Sequence, residues 1–187
     1  MLLPALSKAR EKARSIKCIN NLKQLGIYMT LYGDEHGVYP PVVNWENSGP
    51  WTGQWGWNWK SYLSYVTGIE DWVKWPVLHC PDKGVEERAS SYGMNENFGL
   101  KPYATWKWDN IVSPSKAMLI MDAHWPNLLF YYGFANDMTR DRDGIARHNG
   151  RTQANMLFQD CSAGPRNGSP HRLRTDPARR RPRRRHR

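Results

Sequence analysis

The run from Leu2 to Asp34, LLPALSKAREKARSIKCINNLKQLGIYMTLYGD, constrains the fold of this chain more than any other stretch. Apolar or small residues at Leu6, Ala9, Ala13, Ile16, Ile19, Leu22, Leu25 and Met29 recur at steps of three and four, the spacing of one stripe on an α-helix. Between them Lys8, Arg10, Glu11, Lys12, Arg14, Lys17 and Lys23 supply a wet face. Pro4 fits a first turn or a kink, and Gly33 with Gly37 is expected to end the run. At about 1.5 Å per residue such a helix spans roughly 45 Å. The short segments that follow need a surface of that kind to pack against.

The later apolar runs are brief. Ser90–Asn95 (SSYGMN) reads as a strand or turn entering a sheet, and Ala117–Asp122 (AMLIMD) is the best central strand. Leu128–Phe134 and Ala154–Gln159 (ANMLFQ) are the further strand candidates, while Trp59–Val66 reads as a short helix with Trp59, Leu63 and Val66 inward. A helix, an irregular Trp-rich insert and then antiparallel strands define an α+β domain with the sheet on the helix stripe. Its parts are the helix at 1–34, a globular body at 35–161 and a tail at 162–187.

Charge separates the tail from the body. Of the 27 basic and 17 acidic residues, ten Arg and one Asp lie in 162–187, leaving 17 and 16 before it. A segment so rich in Arg, Pro and Gly buries too little apolar area to fold and is expected to be disordered. It would attract nucleic acid or an acidic membrane through their phosphates without reading sequence. The abrupt change after Asp160 also fits a frameshift, which would leave the tail without a role. No run reaches the apolar length of a spanning helix, and no signal peptide opens the chain.

The segment LLPALSKAREKARSIKCINNLKQLG resembles the part of the helix that follows the membrane-spanning half in G-like pseudopilins of type II secretion, proteins with a prepilin-type cleavage and methylation leader. Ser-Tyr-Gly-Met-Asn at 91–95 is similar to a segment of the same family. So is His148 followed by an apolar strand and Asp160, which resembles a closing His-x9-Asp-Gly element that sets His beside Asp at the sheet edge. Here eleven residues separate the two, and Cys161 stands where glycine is expected. The resemblance implies a pilin-like, non-enzymatic subunit, placed at the inner membrane, periplasm or cell surface, that meets other pilin-like subunits through its helix. It also implies that the assembly half of the helix is missing, for which a misplaced start at Met1 is one explanation and a detached domain another.

Candidate sites follow. Cys18 and Cys80 would form a disulfide tying helix to body in an exported protein, or stay as reduced thiols elsewhere. No CxxC motif is present, and His36, His79, His124, His148, His171 and His186 show no ligand or dyad spacing, so neither zinc nor an enzyme is expected. Asn136, Asp137, Asp141 and Asp143 gather oxygens on one loop, a weak calcium candidate that the resemblance also implies, since the pseudopilins include members with a calcium loop. Trp51, Trp55, Trp57 and Trp59 could stack on a sugar, the alternative being that they fill a small core of their own. No cofactor beyond that calcium, and no small-molecule substrate, is expected.

Overall fold

The computed structural model describes residues 3–41, 59–69, 74–82, 91–95, 98, 111, 113–123, 147–149 and 152–167. Helix α1 (Leu3–His36) and helix α2 (Trp59–Thr67) pack with four strands, β1 (Tyr92–Met94), β2 (Met118–Asp122), β3 (Gln153–Phe158) and β4 (Ala163–Asn167). The strands form one antiparallel sheet in chain order, β1-β2-β3-β4. This is the α+β, pilin-like arrangement expected from the sequence, a long N-terminal helix on a small sheet. Leu128–Phe134, the calcium candidates Asn136, Asp137, Asp141 and Asp143, and Trp51, Trp55 and Trp57 lie outside the described residues.

Helix α1 runs one turn past Gly33, which is buried within it, and stops at Gly37. Gly37 has φ +68° and its N–H donates to the Gly33 carbonyl at 2.7 Å, a left-handed C-cap that glycine adopts without strain. Pro40 and Pro41 then keep the chain from re-entering a helix.

The sheet covers only part of α1. Cys18, Leu22, Leu25, Met29 and Tyr32 are buried against Leu119, Ile120 and Leu157 of the sheet, Leu78, and Trp59 and Leu63 of α2. Gly26 sits close against the sheet, since a Cβ there would lie 3.1 Å from Leu157 Cδ1 and 3.5 Å from Cys161 Sγ. The first half of the helix is different. From Pro4 to Lys17 every residue is exposed except the half-buried Glu11 and Ser15.

The single stripe expected from the sequence is therefore two stripes. At about 100° per residue, the buried residues Cys18 to Tyr32 centre on one side, while Leu6, Ile16, Ile27 and Leu31 fall within about 80° of one another on the opposite side. Those four are 50%, 50%, 57% and 49% exposed. Ala9 and Ala13 lie in the same exposed stripe. Spacing of three and four cannot tell which turn of a long helix the body reaches, and here Leu6, Ala9, Ala13 and Ile16 belong with the outer face.

Strands β2 and β3 are buried on both faces. Asn155 and Leu157 face the helix, while Ala154, Met156 and Phe158 join Met118, Met121 and Ala123 on the far side. A register shift between Met118 and Ile120 turns both Leu119 and Ile120 toward the helix. Continuous burial explains why MLIM reads as an unbroken apolar run.

Strand β4 corrects the tail boundary. Ala163–Asn167 pairs along β3 from Leu157–Ala163 to Gln153–Asn167, inside the segment expected to be disordered from 162. Ala163 and Gly164 are half-buried and Pro165 and Arg166 exposed, so backbone pairing rather than apolar content holds the strand, and composition misses it. Pro165 is acceptable because an edge strand has one side free of ladder bonds. Residues 168–187 lie outside the described residues.

In the β3–β4 turn Cys161 has φ +61°, the left-handed conformation that a glycine would take freely. Cys161→Gly is therefore expected to raise stability by roughly 0.5–1 kcal/mol, the released strain exceeding the glycine's added chain entropy. Cys161→Ala, which keeps the Cβ, is the control, and urea midpoints for the two variants check it.

Candidate functional site

Four elements converge on one buried cluster. Cys18 comes from the middle of α1, Cys80 from the segment after the 3-10 turn Pro76–Leu78, Asp122 from the end of β2 and His148 from just before β3. Each is placed by ordinary folding. Cys18 is one turn before Leu22 on the buried face of α1. Asp122 shares with Ile120 the helix side of β2, because alternate residues of a strand face one way. His148 is held by its bridge to Gln153, its N–H donating to the Gln153 carbonyl at 2.9 Å. Asn21 of α1 anchors the Cys80 segment by donating from Nδ2 to the His79 carbonyl at 2.9 Å.

All four side chains are buried, and their candidate ligand atoms lie within 4.8 Å of one another. Cys18 Sγ is 3.4 Å from Asp122 Oδ1, Cys80 Sγ is 3.6 Å from His148 Nε2, and His148 Nε2 is 3.3 Å from Asp122 Oδ2. A ring of polar groups surrounds them. Tyr92 donates its hydroxyl to Cys18 Sγ at 3.2 Å, and the Asn155 N–H donates to Asp122 Oδ2 at 2.8 Å. Asp82 Oδ2 is 2.8 Å from His148 Nδ1, while its Oδ1 meets the guanidinium of Arg14 on the helix. The guanidinium of Arg147, almost wholly buried, has Nε 3.9 Å from Asp122 Oδ1 and donates from Nη2 to the Ala123 carbonyl.

Burying a carboxylate and a thiol in this way shifts their neighbours. For His148, burial pulls the pKa down, but contact with Asp122 and Cys80 outweighs it and pushes the value up to about 10. Cys80 is drawn down to about 6, first by the hydrogen bond from Cys18 and also by His148, against its burial. Cys18 moves up, through its contact with Cys80, its burial and the nearby Asp122 charge, and Tyr92 is raised chiefly by burial. Both directions favour a thiolate at Cys80 and an imidazolium at His148 in the metal-free, reduced state.

The signs give a pH profile for that state. His148 stabilises the fold fully below its ordinary 6.5, and this contribution is lost as pH rises through about 10. Cys80 stabilises it above its ordinary 9.0, and this is lost as pH falls through about 6. The two offset each other between those ordinary values. Above pH 9.0 Cys18, whose pKa is raised, adds to the loss. Urea midpoints measured with reductant and chelator are expected to be flat from about pH 6.5 to 9 and to fall beyond; a steady rise through pH 10 would contradict the assignment.

Sequence expectations fare unevenly here. Cys18 and Cys80 do meet, as free thiols. His148 does not meet Asp160. It stands at the start of β3, whereas Asp160 follows the far end, about 20 Å away at roughly 3.3 Å per residue. Asp160 instead caps its own turn, accepting from the Ser162 N–H at 2.9 Å and from Ser162 Oγ at 2.6 Å. Trp59 is fully buried as the first residue of α2, so it cannot offer a face to a sugar. No sequence motif singles out Asp122 or Asp82. The signal available was a carboxylate closing an apolar strand, and another two residues after Cys80. The absence of CxxC carries no weight for donors supplied by four separate segments.

Residues 7–72 match the family model described as a protein of unknown function (DUF1559). The matched part holds most of α1, all of α2 and Cys18, but not Cys80, Asp122 or His148. It is compatible with a pilin-like surface protein. Comparison with curated proteins and with solved structures gives no match. Among the described residues no helix is long and apolar enough to cross a membrane.

Proposed function

We propose that this chain is a pilin-like structural subunit, without enzymatic activity, of a type II secretion or type IV pilus-like filament at the cell envelope. The supporting observation is the outer stripe of α1. Leu6, Ile16, Ile27 and Leu31 are half-exposed on the side of the helix that faces away from the sheet. Apolar side chains so aligned along one helix are what neighbouring helices bury when they pack in a filament. The partners in this reading are further pilin-like subunits, each presenting the same helix. Calcium at Asp137, Asp141 and Asp143 and nucleic acid at the Arg tail are not part of it.

The pair Ile27→Asp and Leu31→Asp tests the reading. Both positions are outward, so the subunit is expected to keep its melting temperature within about 4 °C, since surface substitutions usually stay within about 0.5 kcal/mol each and about 1 kcal/mol moves a chain of this size by about 2–4 °C. Assembly in the native host, followed by sedimentation of sheared surface and envelope fractions, is expected to be lost. Unchanged assembly by the folded double variant would overturn the role of the stripe.

A further inference from the structure

We propose that Cys18, Cys80, His148 and Asp122 form a closed zinc(II) site that fastens α1 to the sheet. The inference stands apart from the filament reading and rests on the cluster alone.

Distances come first. Tetrahedral zinc with Zn–S about 2.3 Å and Zn–N or Zn–O about 2.0–2.2 Å sets unlike ligand atoms roughly 3.3–3.6 Å apart. The observed separations are 3.6 Å from Cys80 Sγ to His148 Nε2 and, to the two different oxygens of the Asp122 carboxylate, 3.4 Å from Cys18 Sγ to Oδ1 and 3.3 Å from His148 Nε2 to Oδ2, one of which would be the ligand. Four donors fill a tetrahedral shell, and all four residues are buried, so the site has the character of a structural one. Two thiolates and an imidazole select a borderline-soft ion over calcium or magnesium.

The surroundings are also those of a metal site. Asp82 Oδ2 holds His148 Nδ1 at 2.8 Å, which turns Nε2 inward and leaves its lone pair to the ion once deprotonated. Tyr92 donates to Cys18 Sγ, and the Asn155 N–H donates to Asp122 Oδ2. Two thiolates, one carboxylate and Zn²⁺ leave a single negative charge, which the buried Arg147 guanidinium beside Asp122 balances. On binding, four metal–ligand bonds form from ligand lone pairs, and the protons on Cys18 Sγ and His148 Nε2 pass to solvent with no change of oxidation state. A Cys18–Cys80 disulfide would use only two of the four groups. It would leave unexplained why His148 and Asp122 point at the same spot.

The full-length protein, purified with reductant and freed of metal, is titrated with zinc alone and, in parallel, with cobalt(II). One zinc per chain is expected, with a higher melting temperature and, for cobalt, the thiolate charge-transfer and tetrahedral ligand-field bands. His148→Gln and Cys80→Ser should abolish those bands. Asp82→Asn, at a positioning residue, should keep the tetrahedral spectrum while weakening zinc affinity about 10–100-fold. Cys161→Ser should change nothing. Should folded, reduced protein take up no zinc, or should native protein from the host carry a Cys18–Cys80 disulfide by peptide mass, the proposal is overturned.

Discussion

Replacing Asp122 with alanine is expected to cost about 3–5 kcal/mol, among the largest effects of any single change in this chain. Asp122 is fully buried, accepts from the Asn155 N–H and faces both His148 and Arg147. Truncation would leave the Asn155 N–H without its acceptor and take one anionic neighbour from each of His148 and Arg147, and removing one partner of a buried charge pair is far costlier than losing a surface pair. Asp122→Asn retains size and one acceptor, so its cost should be smaller, about 1–3 kcal/mol. The comparison is best made by urea denaturation of metal-free, reduced protein. A loss below about 1 kcal/mol for the alanine variant would mean that the cluster is not assembled as described.

Leu25→Ala should cost about 2–5 kcal/mol, whereas Ile27→Ala, two positions along the same helix, should stay within about 0.5 kcal/mol. Leu25 is fully buried in the core, and Ile27 is more than half exposed on the opposite face. The contrast isolates geometry from chemistry, since both substitutions remove branched aliphatic side chains from good helical positions. Equal losses would place the sheet on both sides of α1 and remove the outer stripe.

How much of this was legible beforehand differs by element. Periodicity located α1, and the apolar runs MLIMD and ANMLF located β2 and β3, because those segments are long or fully buried. Periodicity did not show that α1 carries two stripes. Leu6 and Leu22 obey the same spacing rule, and only the position of the body distinguishes a buried turn from a projecting one. Strand β4 escaped because its residues contribute hydrogen bonds rather than apolar area. The cysteine count points to a meeting of Cys18 with Cys80, whereas the resemblance pairs His148 with Asp160 and the structure sets it beside Asp82 and Asp122. Partners 26 and 66 residues away in the chain leave no local pattern to read.

The central claim is that α1 binds the body with one face and sister subunits with the other. A photo-crosslinking amino acid placed at Ile16, and separately at Lys8, in protein expressed in its native host tests this most directly. Ile16 lies within the outer stripe, while Lys8 is exposed about 80° outside it at about 100° per residue. Crosslinked ladders of repeated subunit mass from Ile16, with little from Lys8, are the expected result. Monomer alone from Ile16, with the protein folded and present in the envelope fraction, would contradict it.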